Sequence, residues 1–597
     1  MPAQTEFRGR IGAGEGKLFL EAGGIRAELV PADAAAAAAL GALVGVTAPV
    51  IGVQEGARIL GAKPRPVLEA ADVQEGGPDP ALLDLLPLAH NPPPPLQQAL
   101  NQLGPRLVAV RPGYKMDAGG AVPALVVLTK GAPAADAPSV PASIGDVRID
   151  VQPASPEEQL LGKEVLTVWT RMLTGTAEAE AAPAINYTPP PDVTLEPCPV
   201  HNILCHVGPD AGWNTLEPFL DGTEQALTVA MYDFQAPHVI KTVVDIGRSS
   251  SRTLRLVLQE DKSEETDAVA ELKNSWKTRL DYTEAAVKGP HRIFNNSFHT
   301  KVAVRDHVAF WLSSGNWSPH SQPEIPAGPQ PTMYRLGNRE WHVIIEDPKL
   351  SGIFEKFIEH DFRQAAQALT EEAAPAAMPD LLVPEAFFRD EEAAVVQPAR
   401  FEPQAFATSG SPIQVEPLMT PDNYPDRILA LIESAEQTLW MQYAYVRAPR
   451  DNDRYRKLVM AVAARMKAGL DVRVIVDKRN EKPEDIQALL GLGWKPAMMR
   501  LQRSAVHNKG ILVDEKIAVV GSQNWSQDGT QFNRDASLVL HSPQIAKYFA
   551  KVFTFDWENL TDPVSSQMEI APVIAPESGP TPPGMVRIPW AAWYREA

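Results

Sequence analysis

Two cysteines in 597 residues leave no room for a scaffold built on disulfides. The amino terminus, "MPAQTEFRGRIGAGEGKLF", lacks the basic-then-apolar plan of a secretory leader. Long uncharged runs are scarce. The one of membrane-spanning length, "AAAAAALGALVGVTAPVIGV" at 34–53, is rich in Ala, Gly and Val, broken by Pro49 and flanked by alternating β patterns. It reads as an ordinary helix–strand unit, and the chain as a soluble, cytoplasmic protein with no membrane span. Positive charge is also short: a formal net charge of −19 excludes a protein that coats nucleic acid with its whole surface. The shortage is uneven, because residues 441–540 sum to about +6 and 221–340 to about −1, leaving about −24 elsewhere.

Proline and glycine, at 56 and 39 residues, are plentiful, and the prolines mark boundaries. A chain of this length holds several cores. Alternating runs "KLFLEA", "IRAELV" and "TAPVIGVQ" with one Ala-rich helix predict a small β-rich domain over 1–65. A helix-like "LQQALNQL", strands "RLVAVRPGY" and "PALVVLTKG" and a closing "VPASIGDVRIDVQP" predict a small α/β module over 97–155. Residues 176–196 and 371–410 read as linkers, and 561–597 as a Pro-rich tail. Between them, 197–370 and 411–560 each alternate strand and helix, the pattern of an α/β sandwich. "ALTVAMYDF" and "LRLVLQED" in one half have counterparts in "TLWMQYAYV" and "DVRVIVDKR" in the other.

The two halves also share a sentence. "FHTKVAVRDHVAFWLSSGNWS" at 298–318 aligns without a gap on "VHNKGILVDEKIAVVGSQNWS" at 506–526. His299 falls on His507, Lys301 on Lys509, Asp306 on Asp514 and Asn316 on Asn524. In His-x-Lys two side chains two apart share one face of a strand, and the Asn seventeen residues on reaches them from the end of the next strand. A carboxylate completes each set: Glu340 in "GNREWHV" and Asp535 in "FNRDASL", both after Asn-Arg. A carboxylate bound to one imidazole nitrogen fixes the tautomer and strengthens the other nitrogen as a nucleophile. The Trp residues of "SGNWS" and "SQNWS" read as packing under the turn. "PCPVHNILCHVG" at 197–208 gathers Cys198, His201, Cys205 and His206, but lacks the paired Cys-x2-Cys spacing of structural zinc sites and reads instead as the opening strand of the first half.

These residues resemble the phospholipase D superfamily, whose His-x-Lys-(x)4-Asp signature is met by His299, Lys301 and Asp306 and again by His507, Lys509 and Asp514. The Gly-Ser-x-Asn part is intact at Gly521, Ser522 and Asn524, whereas the first copy has Ser313 in place of the glycine before Ser314. The resemblance covers roughly 200–560. It implies two tandem α/β sandwich lobes sharing one pseudo-twofold active site within one chain, preceded by the β-rich and α/β accessory domains. It implies catalytic His299, Lys301, Asn316, Glu340, His507, Lys509, Asn524 and Asp535, with Ser314 and Ser522 binding substrate. Asp306 and Asp514 are mainly structural in the family.

The implied chemistry is metal-independent hydrolysis of a phosphodiester through a phosphohistidine, with no cofactor and no obligatory metal, since the lysines supply the charge. His299 is the nucleophile by family analogy. The expected substrate is a phospholipid, on the ground of the acidic chain. The alternative is a nuclease, on the ground of the basic 441–540 stretch. A non-catalytic scaffold is the third reading, and the intact His, Lys and Asn of both copies speak against it.

Overall fold

The structure, a computed structural model of the chain, describes residues 5–14, 17–22, 25–31, 37, 47–55, 58–64, 77–117, 120–131, 140–176, 185–249, 251–259, 263–289, 291–325, 336–368, 379–384, 400–450, 453–564, 572–576 and 580–590. It divides into two units, Met1–Asp72 and Val73–Ala597. The first unit is a closed barrel of five strands in the order Thr5–Gly14, Lys17–Ala22, Ile25–Pro31, Arg58–Pro64, Thr47–Glu55. Closure removes the exposed edges that short strands would otherwise present. The 34–53 run is therefore part strand, Thr47–Glu55. Most of the Ala-rich helix expected before it lies outside the described residues. Among the described residues no helix is long and apolar enough to cross a membrane.

The second unit is mixed α/β and holds the repeated sequence on two sheets. The first sheet runs Leu280–Glu284, Thr253–Leu258, Ala226–Met231, Val302–Arg305, Ala309–Ser313, Glu340–Glu346, Asn202–Gly208, Gln404–Ala407. The second repeats the order with Met499–Gln502, Asp471–Asp477, Thr438–Tyr443, Lys509–Val513, Ile517–Gly521, Asp535–His541, Ile413–Thr420, Cys198–Val200, and adds Thr561–Pro563 at the far edge. The last strands of the two lists are exchanged. Cys198–Val200 precedes the first sheet in sequence but pairs with the second, and Gln404–Ala407 precedes the second but pairs with the first.

Central strands such as Thr438–Tyr443 are buried along their whole length, and theirs is an apolar sequence interrupted here by Thr438 and Gln442. Helices Pro348–Ala368 and Pro543–Asn559, each following the carboxylate-bearing strand of its copy, supply Phe354, Phe357, Phe549 and Phe553 to one core shared by both sheets. Trp341 stacks on Phe549 with ring centroids 4.4 Å apart. That packing explains Gly510 in "HNKGILV": a Cβ there would lie 2.4 Å from the Trp341 ring. Trp317 and Trp525 are fully buried against Phe234 and Tyr443, so both serve packing.

A four-stranded sheet, Leu107–Asp117, Gly120–Thr129, Val147–Pro153 and Ser143–Ile144, carries the small α/β module. It docks on helix Pro483–Gly491 through Gln487, which accepts from the Tyr114 amide at 2.6 Å and donates to its carbonyl at 3.1 Å. Residues 371–410 and the tail contain more order than linkers require. Leu381–Pro384 pairs with Val573–Ile574 and Met585–Ile588, and Gln404–Ala407 joins the first sheet. These pairings are long-range, and a Pro-rich local sequence conceals them.

Candidate active site

Both histidines sit just ahead of the strands rather than within them. Val302–Arg305 begins after Lys301, and Lys509–Val513 begins at Lys509. Each histidine is anchored by the opposite copy. The His299 amide donates to the Arg534 carbonyl at 2.7 Å, and the His507 amide to the Arg339 carbonyl at 3.1 Å. The Asn-Arg-carboxylate segment of one half thus holds the His-x-Lys segment of the other. The two imidazoles come to face each other, with ring centroids 6.1 Å apart.

The carboxylates cross over as well. Asp535 Oδ1 lies 2.8 Å from His299 Nδ1, and Glu340 Oε1 lies 3.2 Å from His507 Nδ1. The sequence places each carboxylate in the set of its own copy; the structure pairs it with the histidine of the other. Spacing along the chain carries no information about that choice, which the exchange of segments between the sheets decides. The two arms differ in quality: His299 and Asp535 form an aligned hydrogen bond, whereas the His507–Glu340 contact is within ion-pair distance but out of line for one.

Two buried arginines lock this arrangement. Arg339 binds Asp556 of the second half through Nε and Nη2 at 2.8 and 3.0 Å and Asp210 through Nη1 at 2.6 Å. Arg534 binds Asp361 of the first half at 2.7 and 2.8 Å and Asp422 at 3.0 Å. Bidentate guanidinium–carboxylate pairs of this kind fix orientation as well as position. Sequence reasoning used these arginines only as alignment marks. The signals for their partners were the matched "GPD" at 208–210 and "TPD" at 420–422.

Lys301 and Lys509 are buried, and each Nζ donates to the carbonyl of the histidine two residues before it, at 2.6 and 2.7 Å. Asn316 and Asn524 lie buried just past the strands Ala309–Ser313 and Ile517–Gly521. The serines expected to bind substrate are committed to protein. Ser522 donates to Asp535 at 2.7 Å, and Ser314 accepts from the Trp341 amide at 3.0 Å. They hold the carboxylate strands in place. Asp306 and Asp514 lie away from the histidines and accept from backbone amides of 224–226 and 436–438. Tyr232, which the sequence did not single out, stands edge-on to His299 with ring centroids 5.0 Å apart, and Lys301 Nζ lies 4.9 Å from its ring centroid.

Burial dominates the electrostatics. It pushes the Glu340 carboxyl up to about 8 and Asp535 up to about 6, against the pull of the lysines. It takes Lys509 down to about 7 and Lys301 and His507 well below their ordinary values, the neighbouring lysines adding to it for Lys301 and His507. The pocket is a desolvated cluster of cations and carboxylates in which an arriving anion would favour the protonated lysines. At the other candidate, Cys198 and Cys205 are buried in strands while the His201 ring bonds to Thr408, and the described residues contain no metal-binding group of His, Cys, Asp and Glu.

The fold and the doubled site define a phosphoryl-transfer protein assembled from two related halves. Residues 428–557 match the family described as cardiolipin synthase, PLD-like domain. The matched residues contain the second copy of the doubled motif, His507 to Asn524, and its carboxylate Asp535. Among solved structures it is similar to phosphatidylserine synthase of Haemophilus influenzae Rd KW20, at 12% identity and TM-score 0.42, over 62% of this chain and 89% of that one. It is also similar to Nuc, a phospholipase D family member from Salmonella typhimurium, at 21% identity and TM-score 0.22, over 26% and 99%. Comparison with curated proteins returns no match.

Proposed function

We propose that the chain is a metal-independent phosphodiesterase whose two tandem phospholipase D-like lobes share one active site. The observation that carries this reading is the crossed assembly of His299 with Asp535 and His507 with Glu340, 6.1 Å apart between histidine centroids. Neither half holds a complete set alone. Nε2 of His299 attacks phosphorus as the bond to the leaving alkoxide breaks, and His507, protonated as the anionic diester binds beside it, delivers its proton to that oxygen. His507 then takes a proton from water, whose oxygen displaces His299 from phosphorus. Covalent catalysis splits one hard displacement into two, and Asp535 keeps the His299 proton on Nδ1 so that Nε2 is free to attack. Lys301, Lys509, Asn316 and Asn524 hold the phosphoryl oxygens as charge moves onto them.

A phospholipid head group is the substrate class favoured here. Of the basic residues that a long polyanion would use in 441–540, Arg454 pairs with Asp426, Arg503 pairs with Asp562, and Arg456 is largely buried. These three arginines are thereby engaged within the protein, which counts against their tracking a nucleic-acid backbone. The testing experiment is a side-by-side turnover assay of phosphatidylcholine, cardiolipin, single-stranded DNA and duplex DNA across salt concentrations. Lipid turnover with a shallow salt dependence supports the reading. DNA cleavage that collapses as salt rises, and that is lost on neutralising Arg454, Arg456, Lys457 and Arg503, assigns a nuclease instead.

A further inference from the structure

The two copies differ behind their carboxylates. The strand register sets Ser313 opposite His342 in the first copy and Gly521 opposite Ser537 in the second. Two residues on, Gly315 stands where the second copy has Gln523. These differences compensate. A Cβ at Gly521 would lie 1.6 Å from Ser537 Oγ, and one at Gly315 would lie 1.8 Å from Glu340 Oε2. The longer carboxylate of the first copy therefore needs a bare backbone at 315, and the side chain returns at 313.

That side chain organises a buried group with no counterpart in the second copy. Ser313 Oγ accepts from the Gly315 amide at 2.7 Å and lies 2.5 Å from His342 Nδ1. Ser313 Oγ is buried, and His342 Nδ1 is the acceptor that the described residues offer its one proton, so Ser313 donates to Nδ1. A neutral imidazole that accepts at Nδ1 carries its proton on Nε2. His342 Nε2 lies 4.0 Å from Glu340 Oε2, and neither atom has a hydrogen-bond partner among the described residues. On its other face His342 stacks on His206, centroids 4.5 Å apart, whose own Nδ1 donates to the Ala211 carbonyl. Burial holds both rings below their ordinary values, hence neutral. The second copy has Leu418 facing Ser537 at these places.

We propose that His342 is a positioning residue for Glu340: its Nε2–H, fixed by Ser313, faces the carboxylate and holds it toward His507. The His507 arm is thereby tuned apart from the His299 arm, whose carboxylate accepts from Ser522. The catalytic consequence rests on the reaction proposed above; the coupling of His342 to Glu340 does not. Besides His342, the groups that face Glu340 are Lys301, Lys509, His507, Ser321 and Asn338.

The test compares H342L and H342Q with the parent by two readouts: the pH profile of turnover of a cleaved diester, and melting temperature against pH without substrate. Loss of the Nε2–H dipole that faces the ionised carboxylate from 4.0 Å raises the carboxyl pKa. H342L is therefore expected to move the acid limb of kcat up by about 0.5–1 pH unit, to lower kcat roughly tenfold and to leave KM within about twofold. Its pH-linked fall in melting temperature extends to higher pH, and the E340Q background abolishes that difference. H342Q, which keeps a donor, lies between. An unmoved limb and an unmoved melting curve overturn the proposal, as does a uniform loss in which H342Q is no better than H342L. Should H342L not fold, S313A is expected to shift both curves the same way by less, and no shift overturns the proposal. Should no diester be cleaved, the reaction reading fails and the melting curves alone decide.

Discussion

His299 and Asp535 stand 236 residues apart in the chain and meet at 2.8 Å. Their contact ties the motif of one half to the carboxylate of the other, and the reverse pair, His507 and Glu340, does the same at 3.2 Å. A strong ring N–H to carboxylate bond gives a downfield proton resonance. That of His299 is expected to vanish in D535N and persist in E340Q. Loss in E340Q instead would restore the same-copy pairing that the sequence order suggests. Turnover in D535N should fall by about 10²–10⁴-fold, the scale for removing a carboxylate that fixes a catalytic tautomer.

The buried arginines make the two halves interdependent for stability. Arg534→Met leaves Asp361 and Asp422 buried without their cation. Breaking a buried pair from one side costs about 3–5 kcal/mol, so a marked drop in melting temperature is expected. Arg534→Lys should recover only part of it, because an ammonium cannot reproduce the fork to Asp361. A melting temperature unchanged in Arg534→Met would show that the crossed ion pairs are not needed to hold the halves.

The Glu340 carboxyl, ordinarily near 4.5, is pushed up to about 8 by burial. The folded state therefore binds a proton between those values that the unfolded chain has lost, so stability falls as pH rises through that window. E340Q removes the effect. Its stability relative to the parent should grow by roughly 1 kcal/mol per pH unit between pH 5 and pH 8. Denaturant unfolding at several pH values measures this, and a constant difference across the window would refute it.

Chelation separates charge supplied by side chains from charge supplied by a metal. In the proposed reaction Lys301 and Lys509 neutralise the phosphoryl oxygens, so dialysis against EDTA is expected to leave turnover intact. Loss of activity restored by zinc or magnesium would return attention to Cys198 and His201.

The doubled motif was legible because it fixes residue types at fixed spacing, and strand–helix alternation was legible because burial on both faces leaves apolar strands such as Ile517–Gly521. Those signals located His299, Lys301, Glu340, His507, Lys509 and Asp535. They could not say that the carboxylates cross over, that Ser314 and Ser522 turn into the protein, or that Leu381–Pro384 finds its partners near the carboxyl terminus. Each is a long-range pairing chosen by the packing of two sheets, and nothing in the local sequence encodes the partner. His342 lies within "GNREWHV" and carries no sequence signal of its own. Its role becomes readable only beside Ser313, the one departure from the family pattern.

The central claim is one site built from both halves, and turnover of the single and double histidine variants tests it most directly. H299A and H507A should each lower kcat by at least about 10³-fold, and the double variant should be no worse than the poorer single, because the two rings act as a unit. Two independent sites would instead leave each single variant with a large fraction of parent activity and abolish it only in the double, and that result would contradict the account.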